Sequence, residues 1–114
     1  MPAVLFVCTG NRYRSPIAAA TFRSLINSTP MATRWEVSSA GTWTTPGLPA
    51  VPSAIAAARA LGLDITDHIS CLINTENLGH YDLVLVMETG HKEAIAYEFP
   101  LISDRIFLLS AGVS

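Results

Sequence analysis

The sequence predicts an α/β fold: a four-stranded parallel sheet between two layers of helices, a three-layer α/β/α arrangement. Three observations carry this. The runs "AVLFV" and "YDLVLVM" are continuously apolar, as in strands buried on both faces. Segments with helical spacing alternate with the strands, which calls for parallel pairing through right-handed crossovers. The 114 residues, half of them hydrophobic and 14% charged, fit a single domain, 1–114, with a substantial core.

Each element has a local reason. "AVLFV", from Ala3 to Val7, is the first strand. Ser15 is a candidate N-cap and Pro16 suits a helix's first turn. Ala18, Phe22, Leu25 and Ile26 then recur at helical spacing. "WEVSSAG" reads as the second strand. Pro52 opens the helix "SAIAAARALG", which Gly62 stops. "NTENLGH" holds one helical turn. "YDLVLVM" is the third strand, "HKEAIAYEF" a further helix ending before Pro100, and "DRIFLLS" the fourth strand. The proline-rich "TPGLPAVP" is a loop.

Composition narrows the function. A net charge of −2 gives no basis for binding nucleic acid or a membrane surface. No apolar run has the length of a membrane span, and the start lacks the pattern of a secretory signal. Two cysteines, Cys8 and Cys71, do not make a disulfide framework, so a reduced, cytoplasmic protein is expected. No histidines have metal-ligand spacing, and no cofactor or metal is implied. His80 and His91 are expected at the surface, and Asp82 as a local backbone anchor.

The chemistry gathers where the first strand ends, in "VCTGNRYRSP". Ligands bind parallel sheets at the carboxyl ends of their strands. A strand-to-helix turn offers inward N–H groups, and the helix N-terminus adds partial positive charge, which together cradle an oxyanion. The pattern is neither a Walker loop nor a dinucleotide loop. Its floor is a cysteine, and these surroundings favour a thiolate. A thiolate facing a bound phosphate is placed for attack, giving a phosphocysteine intermediate. Arg14 can grip two phosphate oxygens. Ser15 can donate a hydrogen bond to the sulfur.

Cys8-Thr9-Gly10-Asn11-Arg12-Tyr13-Arg14-Ser15-Pro16 resembles the phosphate-binding loop of the low-molecular-weight protein tyrosine phosphatases. "SSAGTW", "GLDITDHIS" and "YDLVLVMETGHKEAI" extend the resemblance along nearly the whole chain. It implies their Rossmann-like fold and a phosphomonoester hydrolase acting on a phosphotyrosine protein or a small aryl phosphate. Inorganic phosphate or another oxyanion would inhibit it. It further implies Cys8 as nucleophile, Arg14 as phosphate clamp and Ser15 as thiolate partner. Thr9, Gly10, Asn11, Arg12, Tyr13 and Trp43 would contact substrate. Asn11, Ser39 and His68 would support the loop.

Three features depart from the family pattern. Tyr13 stands where the family has a second cysteine. Arg12 stands where a hydrophobic residue is usual, or threonine in the branch resembling protein-arginine phosphatases. No Asp-Pro general-acid segment and no final helix follow "DRIFLLS". General-acid help is worth about 100- to 10,000-fold, so a catalytically impaired phosphate- or phosphoprotein-binding module is the alternative reading. Glu88 and His91 are the first substitutes to consider; Asp104 falls at the wrong end of the sheet. Arginine-phosphate hydrolysis and arsenate reduction are further alternatives, the latter lacking the redox cysteines it needs. Without a final helix, the sheet face beside the first helix should be partly bare. Leu85 and Phe107 would line it, inviting a homo-oligomer.

Overall fold

The structure is a computed structural model, described over residues 2–27, 35–87, 89–99 and 105–108. Its elements follow in the order β1 (Ala3–Cys8), α1 (Arg14–Ile26), β2 (Glu36–Gly41), α2 (Pro52–Ala60), α3 (Thr75–His80), β3 (Leu83–Val86), α4 (Thr89–Glu98) and β4 (Ile106–Leu108). The four strands form one parallel sheet in the order β2-β1-β3-β4. The expected α/β class is the observed one. From β1, the chain crosses to β2 on one side and later to β3 on the other. The carboxyl end of β1 therefore lies at the point where the winding changes direction, the ligand-binding position of such sheets.

β1 is buried along its whole length, which is why its sequence is apolar without alternation. One face of the sheet joins Leu5, Val7, Val84, Val86 and Ile106 to Leu78 of α3 and Ile95 of α4. The opposite face packs Val4 and Phe6 against Ala19 and Phe22 of α1. Phe22 stands between Phe6 and Trp35, at ring separations of 5.8 and 5.4 Å. α2 closes a smaller core through Ala54 and Ala58, with Ala20 of α1 and Ile65.

Some boundaries differ from expectation. α1 begins at Arg14 with Tyr13 as N-cap and no side-chain cap bond. Ser15 does not cap it, because its hydroxyl is turned to Cys8 and Asn11. Gly62 does terminate α2, at φ +77°, where its N–H and that of Leu63 reach back to Arg59 and Ala58. β3 starts two residues later than the apolar run, since Asp82 accepts the Ala3 N–H at 2.8 Å and ties β3 to the start of β1. His80 pairs with Glu36 across the surface, at the amino end of β2.

The face beside α1 is open over β3 and β4. Phe6, Ala18, Thr21, Phe22, Leu25 and Leu85 line a shallow apolar groove there. Phe107 is 47% and Leu25 65% exposed. Among the described residues no helix covers this strip. No helix among them is long and apolar enough to cross a membrane.

Candidate active site

β1 delivers Cys8 to the carboxyl edge of the sheet, opposite Gly41 of β2. The Cys8 thiol is buried and unpaired with any other cysteine. The chain then turns back over its sulfur. The Asn11 N–H donates to Cys8 Sγ at 3.2 Å, and Ser15 Oγ lies 3.0 Å from the same sulfur. Asn11 makes the turn at φ +55°, the one non-glycine residue with positive φ among those described. Asparagine tolerates that region better than most residues. Gly10 does not need its freedom in this way: its φ is ordinary, and a Cβ there would meet nothing.

The orientation of Asn11 is fixed by its surroundings. The Cys71 N–H is a donor, and it lies 2.7 Å from Asn11 Oδ1. Asn11 Nδ2 must then donate to Ser15 Oγ, at 2.8 Å. Ser15 therefore accepts from Asn11 and has its own proton free for the sulfur. The Asn11 carbonyl faces His68 Nε2. A carbonyl only accepts, so the proton of the neutral imidazole sits on Nε2. Burial holds His68 below the ordinary imidazole range; the Asn11 carbonyl opposes the shift and the Arg23 charge adds to it. Fully buried, Asn11 thus joins the thiol, the hydroxyl, the Cys71 backbone and the imidazole.

In the loop that follows Cys8, the N–H groups of Gly10, Arg12 and Tyr13 have no acceptor among the described residues. Unsatisfied N–H groups at the end of a strand and the start of a helix form an anion cradle. Arg14 is the first residue of α1 and is exposed at the same edge.

The other sequence candidates are more dispersed. Thr9 holds the next strand's exit, its carbonyl accepting the Trp43 N–H at 3.0 Å. The Trp43 side chain is 85% exposed and takes no part in the core. Tyr13 is also partly exposed. The Arg12 Nε donates to the Pro49 carbonyl at 2.8 Å. Ser39 lies outside the hydrogen-bond network of the loop; it lines a cavity with Arg23, Asp64, Asp67 and His68. Glu88, Asp104 and the His91 side chain fall outside the described residues.

Three supports were not singled out by the sequence reading. Gly41 lies so close to the loop that a Cβ would sit 2.6 Å from the Thr9 carbonyl. A glycine closing a strand next to a functional loop is the available signal. The Cys71 backbone anchors Asn11 and accepts the Gly41 N–H at 2.7 Å. The Val51 N–H donates to the Arg12 carbonyl at 3.0 Å, fastening the proline-rich segment to the loop. No residue type announces either of these backbone contacts.

The family model of the low molecular weight phosphotyrosine protein phosphatases matches residues 3–113. The chain belongs to this family. It is 35% identical over 111 residues to a protein-arginine-phosphatase of Bacillus subtilis, covering 97% of this chain and 72% of that one. It is also 35% identical over 91 residues to the low molecular weight phosphotyrosine protein phosphatase of Sus scrofa, covering 78% of this chain and 56% of that one. Among solved structures, the YwlE mutant from Bacillus subtilis superposes with a TM-score of 0.90 at 34% identity, over all of this chain and 75% of that one. A YwlE arginine phosphatase in which serine replaces a cysteine, and whose active-site serine is phosphorylated, superposes at 0.89 and 34% identity, covering 98% and 72%. The chain is thus a member of a phosphatase family, with that family's α/β fold.

Proposed function

We propose that the chain is a cysteine-dependent phosphomonoester hydrolase of the protein-tyrosine-phosphatase type. One observation carries the reading. A buried thiol within hydrogen-bond distance of the Asn11 N–H and of Ser15 Oγ lies in a loop whose Gly10, Arg12 and Tyr13 N–H groups have no acceptor among the described residues. The dianionic phosphoryl group fits that cradle, with Arg14 gripping its oxygens at the start of α1.

In the first step Cys8 Sγ attacks phosphorus. The P–S bond forms, the P–O bond to the leaving group breaks, and the departing oxygen takes a proton from solvent water. In the second step water attacks the phosphocysteine. The P–S bond breaks, inorganic phosphate leaves, and Ser15 stabilises the returning thiolate. The phosphorylated active-site serine of the YwlE variant supports the phosphoryl-acceptor role for Cys8. Gly10, Arg12 and Tyr13 contribute loop N–H groups, Thr9 and Trp43 shape the rim, and His68 supports the loop through Asn11.

Aryl phosphates are the favoured class, because a phenolate leaves without full protonation. The second reading is arginine-phosphate hydrolysis, favoured by the identity to protein-arginine-phosphatases. Release of phosphate from p-nitrophenyl phosphate, phosphotyrosine peptide and phosphoarginine tests both. Cys8→Ser should abolish turnover but keep phosphate-analogue binding, and Arg14→Ala should lose both. Appreciable activity in Cys8→Ala, which has no side-chain nucleophile to accept the phosphoryl group, would refute the covalent route.

The same reading places the protein in the cytoplasm, where a reduced thiol persists. It extends to self-association of the 114-residue chain through the apolar groove beside α1. Light scattering over a concentration series should show mass above the monomer, and a monomer at every concentration would remove that part.

A further inference from the structure

Arg12 occupies an unusual electrostatic position. It follows Asn11, whose N–H touches the Cys8 sulfur, so its backbone sits one residue from the phosphate-facing atoms. Its Nε is bound to the Pro49 carbonyl and its own carbonyl to the Val51 N–H. These two bonds hold the side chain against the 49–51 segment and fix the direction of the guanidinium. They leave both terminal amino groups without a hydrogen-bond or acidic partner among the described residues.

Among the described residues no acidic side chain is hydrogen-bonded or ion-paired to Arg12. Glu36 is the only acidic residue before Asp64. Glu36 lies at the amino end of β2, paired with His80, at the far end of the sheet from Cys8. Asp64 and Asp67 line the cavity that holds Arg23 and His68. A guanidinium held by Nε presents its outer edge as a two-pronged donor, the geometry that matches a carboxylate.

We infer that Arg12 is a specificity-determining residue that receives an anionic group beside the phosphoryl group. The substrate class is a phosphotyrosine peptide with an acidic residue next to the phosphotyrosine. A cationic neighbour, or the positive guanidinium of phosphoarginine, is repelled by the same charge. The inference rests on the phosphatase reading above.

The test uses Cys8→Ala, so that substrates bind with no side chain to accept the phosphoryl group, and two phosphotyrosine peptides differing only in Glu or Lys beside the phosphotyrosine. Calorimetry should show the Glu peptide bound about tenfold more tightly, and Arg12→Gln in the same background should reduce that ratio to about twofold or less. Added salt should shrink the ratio in the Arg12 protein and barely change it in the variant. Arg12→Lys should keep part of the preference, since it keeps the charge but loses the fork.

An unchanged ratio in Arg12→Gln overturns the inference. Equal weakening of both peptides also overturns it, and assigns Arg12 to holding the 49–51 segment alone. If neither peptide binds and the unsubstituted protein hydrolyses no phosphomonoester, the phosphatase reading falls and this inference with it. Retained hydrolysis with an Arg12-independent ratio removes only the inference.

Discussion

Ser15 Oγ stands between two partners, 3.0 Å from Cys8 Sγ and 2.8 Å from Asn11 Nδ2, in a fully buried position. Because Asn11 supplies a proton to this oxygen, the hydroxyl proton is left to the sulfur. The bond is strongest when the sulfur is anionic, which in the proposed mechanism is before attack and after the P–S bond breaks. Ser15→Ala should therefore lower kcat by roughly 10- to 100-fold, the worth of one hydrogen bond to a charged group. Single-turnover kinetics would locate the loss in both steps. A variant within about twofold of the parent would remove Ser15 from the chemistry.

Asn11 gives a sharper separation of structure from chemistry. Asn11→Ala strips two side-chain bonds, one to buried Ser15 and one to the Cys71 N–H, and leaves alanine at φ +55°. The expected cost is about 2–4 kcal/mol in unfolding free energy. Asn11→Asp keeps the acceptor for the Cys71 N–H but replaces the donor facing Ser15 with a second acceptor. The Ser15 proton would then turn toward the carboxylate and away from the sulfur. Asn11→Asp should fold better than Asn11→Ala and still lose most activity. Urea unfolding and initial rates on one preparation check both halves, and a fully active Asn11→Asp would refute the assigned proton arrangement.

The two sides of this network were unequally legible in the sequence. Cys8 and Ser15 stand out in the sequence because the proposed chemistry needs those residue types directly after a buried strand, and Arg14, read from the same pattern, is the first residue of α1. The alternation of apolar runs and helical spacing exposed the sheet for the same reason: burial on both faces leaves no polar positions in β1. Cys71 was not visible as a support, because its backbone N–H does the work and any residue has one except proline. The start of α1 was misplaced because Ser15, a favoured capping residue, spends its hydroxyl on the sulfur instead.

Gly41 tests how rigidly β2 holds the loop. A Cβ at this position would lie 2.6 Å from the Thr9 carbonyl and 3.1 Å from Asn11 Cβ. Both obstacles belong to the loop and neither is the end of a flexible side chain. Gly41→Ala should push the loop outward, destabilise the fold by about 1–3 kcal/mol and weaken phosphate binding. Gly10→Ala is the control, since a Cβ there meets nothing within 4 Å. It should cost little stability. Thermal unfolding and phosphate titration of the pair provide the comparison, and equal effects at the two glycines would refute the clash.

His68 sets a pH dependence of known sign. Burial holds its folded-state pKa below the ordinary 6.5, while the unfolded chain titrates near that ordinary value. Between the two values the unfolded chain binds more protons than the folded one. Stability must therefore fall as pH drops through 6.5 toward the folded pKa, and level off below it. The Arg23 charge acts on this window in the same direction as burial, and Asp64 and Asp67 line the same cavity. His68→Gln is the comparison, because an amide NH2 can still donate to the Asn11 carbonyl and does not titrate. Urea midpoints from about pH 7.5 to 5 should fall more steeply for the parent than for His68→Gln. The ring's own NMR titration should show a midpoint below 6.5. Identical slopes, or a midpoint above 6.5, would mean that burial does not control this imidazole. The Asn11 carbonyl would then be the dominant partner, favouring the charged ring, and acidification would tighten the loop instead of loosening it.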